Sequence, residues 1–190
     1  ALRPAMWQPA ERWRPLDEDL HAMVFVVSCA VHAVLHDFGL RADCFVGQSA
    51  GELAALVAAE ALSFEDGLDA VLARTRAVLA LPAGDHGAMA AVATSARALR
   101  SIIDGLDGVW IAADNCPTSA LVSATTAGMA RLAERCASRG VEVTPLHVSH
   151  AYHSPVIAEA GAAYRAALEK LAWRAPVRAV LSTVDLERYD

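Results

Sequence analysis

Val46-Gly47-Gln48-Ser49-Ala50-Gly51-Glu52 sets a serine between two glycines, after a short apolar run and before an alanine-rich stretch. A serine hydroxyl is a poor nucleophile at neutral pH. It needs a base in reach and donors placed where negative charge will develop. A G-x-S-x-G turn between strand and helix supplies part of this: it exposes the hydroxyl and aims the backbone N–H of the next residue, Ala50, at a developing oxyanion. The helix N-terminus behind it adds partial positive charge. The competing reading is a serine that merely completes a tight turn, and five residues alone leave the two evenly matched.

The base must come from seven histidines. His32 and His36 lie among apolar residues of a helix and fit packing or surface roles. His21 is near that helix's start, and His86 falls in a linker. The remaining cluster is His147, His150 and His153, in HVSHAYHSP. His147 sits within a strand. His153 directly precedes a capped helix at a lobe boundary, where a pocket would form. His150 fits pocket wall and surface equally.

These residues need elements to hold them. Residues 19–38 have helical apolar spacing, with Gly39 where a left-handed cap would end the helix. Residues 43–46 read as a strand stopping at Gly47, and 52–60 as a helix, so the serine falls on a strand–turn–helix. Ser63 caps a further helix, with Asp66 as its capping-box partner and Arg74 and Arg76 near its end. From Gly87 onward the order is GAMAAVAT strand, 95–106 helix, VWIAAD and ALVSAT strands, 127–138 helix and VEVTPLHV strand. That βαββαβ order is the signature of a ferredoxin-like lobe. Ser154-Pro155 then starts a last helix that runs through VIAEAGAAYRAALEKLA.

The expected fold is therefore α/β: a hydrolase-like core with a parallel sheet and a nucleophile elbow, over residues 1–84 and 151–190, carrying an inserted ferredoxin-like lobe over 85–150. The chain has 190 residues, of which 55% are hydrophobic and 20% charged, enough for one sizeable core or a core and a small lobe. A net charge of −6 with scattered arginines gives no footprint for nucleic acid. The longest apolar run, 22–35, is interrupted by Ser28, Cys29 and His32, so no membrane span is expected. The segment ALRPAMWQPAERWRP lacks the apolar core of a signal peptide, and a cytoplasmic location follows by default. Cys29, Cys44, Cys116 and Cys136 are widely spaced without histidines at ligand spacing; they read as buried apolar thiols, with no metal site expected.

VGQSAGELAALVAAEALSFEDGLDAVLARTRAVL, followed after the lobe by VSHAYHSPVI, resembles the malonyl-CoA:acyl carrier protein acyltransferase domains of polyketide and fatty acid synthases. The likeness runs from about residue 19 to the C-terminus. It implies that Ser49 is the acylated nucleophile, His153 the general base, and Ala50 the source of an oxyanion-binding N–H. Arg74, 25 positions beyond the serine, matches the arginine that reads the malonyl carboxylate. A planar guanidinium fork suits that task better than lysine. Asn115 in AADNCP matches an asparagine that helps shape the site. His150 and Tyr152, in His-Ala-Tyr-His, match a box found in malonyl-selective domains, with tyrosine for the usual phenylalanine. Gln48 stands where the family usually has histidine, keeping a hydrogen bond but no titrating group. Ala50 stands where the family carries a larger residue.

The resemblance further implies no bound cofactor, malonyl-CoA as donor, the phosphopantetheine thiol of an acyl carrier protein as acceptor, and a flanking ketosynthase. The family's N-terminal Gly-Gln-Gly strand is not recognisable in residues 1–15, and the usual C-terminal continuation is absent, so truncation at both ends is expected. Two alternatives stand beside acyl transfer. A hydrolase or thioesterase would use the same Ser-His pair but has no need of a carboxylate-reading Arg74. A degenerate acyltransferase segment would serve only as a structural element.

Overall fold

The computed structural model describes residues 17–189; the readings of residues 1–15, both the missing signal peptide and the missing Gly-Gln-Gly strand, lie outside them. The described residues divide into two compact units. One holds those up to Leu79 together with those from Ala162 onward, and the other spans Ala80–Gly161.

In the first unit, helix α1 (Asp17–Asp37) ends at Gly39, whose φ of +90° is the left-handed conformation that glycine adopts without strain. Strand β1 (Cys44–Val46) leads through the 47–49 turn into α2 (Ala50–Ala58). Helix α3 (Phe64–Leu79) follows, and the Ser63 hydroxyl accepts from the Asp66 N–H at 3.0 Å while donating to the Asp66 carboxylate at 2.9 Å. The serine half of the expected capping box is thus present, while the Asp66 carboxylate takes the Ser63 hydroxyl proton where the box would use the Ser63 backbone N–H. Phe25, Val71 and Val180 are fully buried in a core with Leu53, Leu56 and Leu62. Gly67 lets α3 approach: a Cβ there would lie 2.6 Å from a Val57 methyl and 2.7 Å from the Phe25 ring.

Strand β6 (Ala179–Leu181) pairs in parallel with β1, Cys44 opposite Ala179 and Val46 opposite Leu181. No strand was expected there. Three residues between an arginine and a serine are too few to show a period.

In the second unit, β2 (Ala88–Val92), α4 (Ala96–Ile103), β3 (Val109–Cys116), β4 (Ser119–Ala124), α5 (Thr126–Ala137) and β5 (Val143–Pro145) form an antiparallel sheet in the order β3-β4-β2-β5. This is the ferredoxin-like arrangement, each helix crossing from one strand to a non-neighbour of the sheet. Ser95 and Thr125 cap α4 and α5 through their hydroxyls, accepting from the N–H groups of Ala98 and Gly128. Leu99, Leu132, Val92 and Val122 fill the space between sheet and helices.

Three expectations are corrected. The last helix is not continuous: Ser154 and Pro155 start only a 3₁₀ turn (Pro155–Ile157), and α6 (Ala160–Leu168) begins anew. The bonds Ala158 N–H to Pro155 and Gly161 N–H to Ala158, both of the tighter i to i+3 type, break the helical ladder between them. The membrane reading also changes, because the Leu20–Asp37 stretch of α1 is apolar and long enough to span a bilayer by length and composition. Ser28, Cys29 and His32 carry no formal charge and do not outweigh their neighbours. One face of α1 sends Ala22 and Phe25 into the core, while Val24, Val27, Val31, Val34 and Phe38 are exposed. Finally, only Cys136 is buried; Cys29 is half-buried, and Cys44 and Cys116, at strand ends, are exposed.

Candidate active site

The turn between β1 and α2 is built by close approach of its own backbone. A Cβ at Gly47 would lie 2.1 Å from the Gly51 carbonyl oxygen, so only glycine fits there. A Cβ at Gly51 meets open space. The two glycines of the motif therefore differ: the first is a steric requirement, the second is not.

Ser49 has φ 54° and ψ −117°, outside the left-handed basin as well as the right-handed ones. Such backbone costs about 1–3 kcal/mol and persists where the surroundings over-determine it. It stands at the N-cap of α2, where a serine ordinarily accepts from its own helix's first N–H groups. Here its side chain makes no cap hydrogen bond. Instead Arg74 Nη2 donates to Ser49 Oγ at 3.2 Å. Bonds from Gly51 N–H to Gln48 and from Glu52 N–H to Ser49 close the turn, at 2.9 and 3.1 Å.

Arg74 is half-buried on α3, two residues before an exposed Arg76. Its own helix turn is anchored by Thr75, whose hydroxyl donates to the Val71 carbonyl at 3.1 Å in the core. Tyr164 and Tyr189 add to this side of the turn, and sequence reasoning assigned neither. Burial pushes the Tyr164 phenol up; the Arg74 guanidinium offsets part of that and the Glu52 carboxylate adds to it. Tyr189 donates to Glu52 Oε1 at 2.5 Å, and burial together with that carboxylate pushes its phenol up to about 12. It remains a donor at every physiological pH. Gln48 is exposed and Ala50 is buried at the start of α2.

The remaining candidates belong to the second unit. His150 is 5% exposed, its ring centroid 4.5 Å from that of His86 and 6.1 Å from that of Tyr152. Of the two readings open for His150, surface is excluded. Its Nδ1 is hydrogen-bonded to the Ser149 hydroxyl. Tyr152 is also buried, and its carbonyl accepts from the buried Ser123 hydroxyl on β4. His153 is exposed, with φ 57°. It is followed by Ser154, whose hydroxyl donates to the Ala151 carbonyl at 2.5 Å. Asn115 is exposed near the end of β3. His86 lies in the connecting segment, as the sequence suggested, and its ring also meets that of His150 at a tilt of 42°; its backbone carbonyl accepts from the Ala151 N–H at 2.7 Å. Only its distance in sequence from the 150–153 box concealed these contacts.

A serine on a strained strand-to-helix turn, an arginine on its hydroxyl and a ferredoxin-like lobe define an α/β architecture. The chain belongs to the acyl transferase domain family, whose model matches residues 18–189. It is 39% identical over 157 residues to the phenolphthiocerol synthesis polyketide synthase type I Pks15/1 of Mycobacterium marinum, a match covering 82% of this chain and 7% of that protein. It is 36% identical over 152 residues to the erythronolide synthase EryA3 of Saccharopolyspora erythraea, covering 80% of this chain and 5% of that one. The chain thus spans a small part of the curated relatives it matches.

Among solved structures, the acyltransferase domain from the second module of the salinomycin polyketide synthase superposes with a TM-score of 0.87 at 31% identity, covering 98% of this chain and 44% of that one. The malonyl CoA-acyl carrier protein transacylase of Clostridium perfringens superposes with a TM-score of 0.84 at 25% identity, covering 91% and 56%.

Proposed function

We propose that this chain transfers a malonyl group from CoA to the phosphopantetheine thiol of an acyl carrier protein through an acyl-enzyme on Ser49. The observation that carries the reading is the Arg74 guanidinium 3.2 Å from the Ser49 hydroxyl oxygen. A malonyl ester on Oγ would carry its free carboxylate two carbons beyond the ester carbonyl, next to that guanidinium. A fork of N–H donors at that point favours a dicarboxylic acyl group over a neutral one. The likeness to a malonyl CoA-acyl carrier protein transacylase supports the same choice.

The steps follow from nucleophilic catalysis. Ser49 Oγ attacks the thioester carbonyl while His153 takes its proton. The oxyanion is met by the Ala50 N–H and the positive end of α2. Collapse breaks the C–S bond, and His153 returns the proton to the CoA thiolate. The carrier thiol then attacks the ester, giving its proton to His153, which passes it to Ser49 as the C–O bond breaks. Gln48, Asn115, His150 and Tyr152 are assigned to the walls of the acyl site. In this reading the bulk of His150 and Tyr152 disfavours a branch on the substrate's second carbon, which favours malonyl over branched extenders by about 1–3 kcal/mol.

Ping-pong kinetics with an acyl carrier protein as acceptor, read as malonyl-carrier by mass spectrometry, test the proposal. Malonyl-carrier should form only with Ser49 and His153 intact. Release of free malonate at the same rate as transfer would support a hydrolase instead.

A further inference from the structure

The strained backbone of Ser49 is flanked on both sides by contacts from one segment distant in sequence. Residues 182–189 double back on β6. The Ser182 N–H donates to the Glu187 carbonyl at 2.9 Å, the Glu187 N–H to the Asp185 carboxylate at 3.1 Å, and the Tyr189 N–H to the Val180 carbonyl at 3.0 Å. A bridge between Leu181 and Arg188 closes the loop. The loop is therefore bonded to itself and to β6, and β6 is in turn paired with β1, the strand that enters the turn.

From this base two side chains reach the elbow. The Thr183 hydroxyl makes a long contact, 3.5 Å, with the Gly47 carbonyl, two residues before Ser49. The Tyr189 hydroxyl donates to Glu52 Oε1 at 2.5 Å, three residues after it on the first turn of α2. The phenol–carboxylate bond is charge-assisted and short, and the stronger of the two.

We propose that residues 182–189 form a positioning strap for the nucleophile elbow, in which Tyr189 acts through Glu52, and Thr183 more weakly through Gly47, to hold Ser49 in its strained conformation. This rests on Ser49 being the nucleophile. Neither Tyr189 nor Glu52 touches the reacting atoms in this scheme. They fix the entry of α2 relative to β1, and with it the direction of the Ser49 hydroxyl and the Ala50 N–H. Loss of the strap lets the turn relax toward an ordinary N-cap, with the hydroxyl turned to its own helix and away from Arg74.

The test compares Tyr189→Phe, Glu52→Ala, Glu52→Gln, the Tyr189→Phe/Glu52→Ala double variant and Ser49→Ala. Three quantities are read: the rate at which a fluorophosphonate modifies Ser49, the amide exchange rates of Gly51 and Glu52, and Tm. Tyr189→Phe and Glu52→Ala should each slow modification about three- to tenfold, less than the full effect of a hydrogen bond to a charged group because this bond is exposed and acts on Ser49 indirectly. Elbow amide exchange should quicken by a similar factor while Tm changes little. The double variant should be no slower than the slower single, because the two residues act through one bond. Glu52→Gln keeps an acceptor and should retain most of the rate.

Unchanged modification and exchange in Tyr189→Phe overturn the proposal. So do losses that multiply in the double variant, or a fall in modification that only follows Tm. Modification that persists in Ser49→Ala overturns the nucleophile reading instead, and the exchange rates then judge the strap by themselves.

Discussion

Arg74→Ala separates a carboxylate reader from an arginine that supports the fold. In the structure the guanidinium lies 3.2 Å from Ser49 Oγ and is half-buried, so its removal has two effects. The first is loss of a donor to the Ser49 oxygen. It acts on every acyl donor alike and, at this length, costs about tenfold or less. The second is loss of the partner for the malonyl carboxylate. A hydrogen-bonded charge pair of this kind is worth about 1.5–3 kcal/mol, and leaving the carboxylate without it adds a desolvation cost. Malonyl transfer should therefore fall about 10²-fold further than acetyl transfer in kcat/KM. The assay is acyl transfer to a carrier protein from malonyl-CoA and acetyl-CoA in parallel. Arg74→Lys should recover little of the difference, since a point charge lacks the fork. Equal losses for the two donors would refute the reasoning and leave Arg74 as a support for Ser49 alone.

Gly47→Ala forces a Cβ to 2.1 Å from the Gly51 carbonyl and should lower Tm and abolish modification of Ser49, whereas Gly51→Ala meets open space on a helix and should raise stability by up to about 1 kcal/mol in a urea melt. Equal destabilisation by both would contradict the asymmetry. Asp85 accepts from the Thr126 hydroxyl and N–H and from the Gly87 N–H, which hold its carboxyl below the ordinary value. A depressed folded pKa contributes stability above the unfolded value and loses it as pH falls through the folded one. The Tm difference between the native chain and Asp85→Asn should thus be full at neutral pH and vanish in strong acid. A difference that stays constant with pH would remove Asp85 from the account.

Much of the site was legible because local chemistry writes it locally. Gly47 and Ser49 share one turn, Ser63 and Asp66 one helix cap, and Gly39 marks its helix end by conformation alone. The lobe's βαββαβ order was legible from the alternation of period. What escaped joins residues far apart. Tyr189 and Glu52 are 137 positions apart, and Thr183 and Gly47 are 136, so no window holds both partners. The pairing of His86 with His150 is hidden for the same reason. Strand β6 is three residues long and takes its identity from β1 rather than from its own pattern. The break before α6 depends on 3₁₀ bonds that a serine–proline start permits but does not announce. The apolar stripe of α1 shows the opposite limit: helical spacing locates a face without saying how much of it the core takes.

The central claim is that Ser49 carries the acyl group, and intact-mass spectrometry of the chain after incubation with malonyl-CoA tests it most directly. The account predicts a single malonyl adduct on the native chain, mapped to the peptide containing Ser49, removed by the carrier thiol and absent from Ser49→Ala. An adduct that persists in Ser49→Ala, or that maps to another residue, would contradict it.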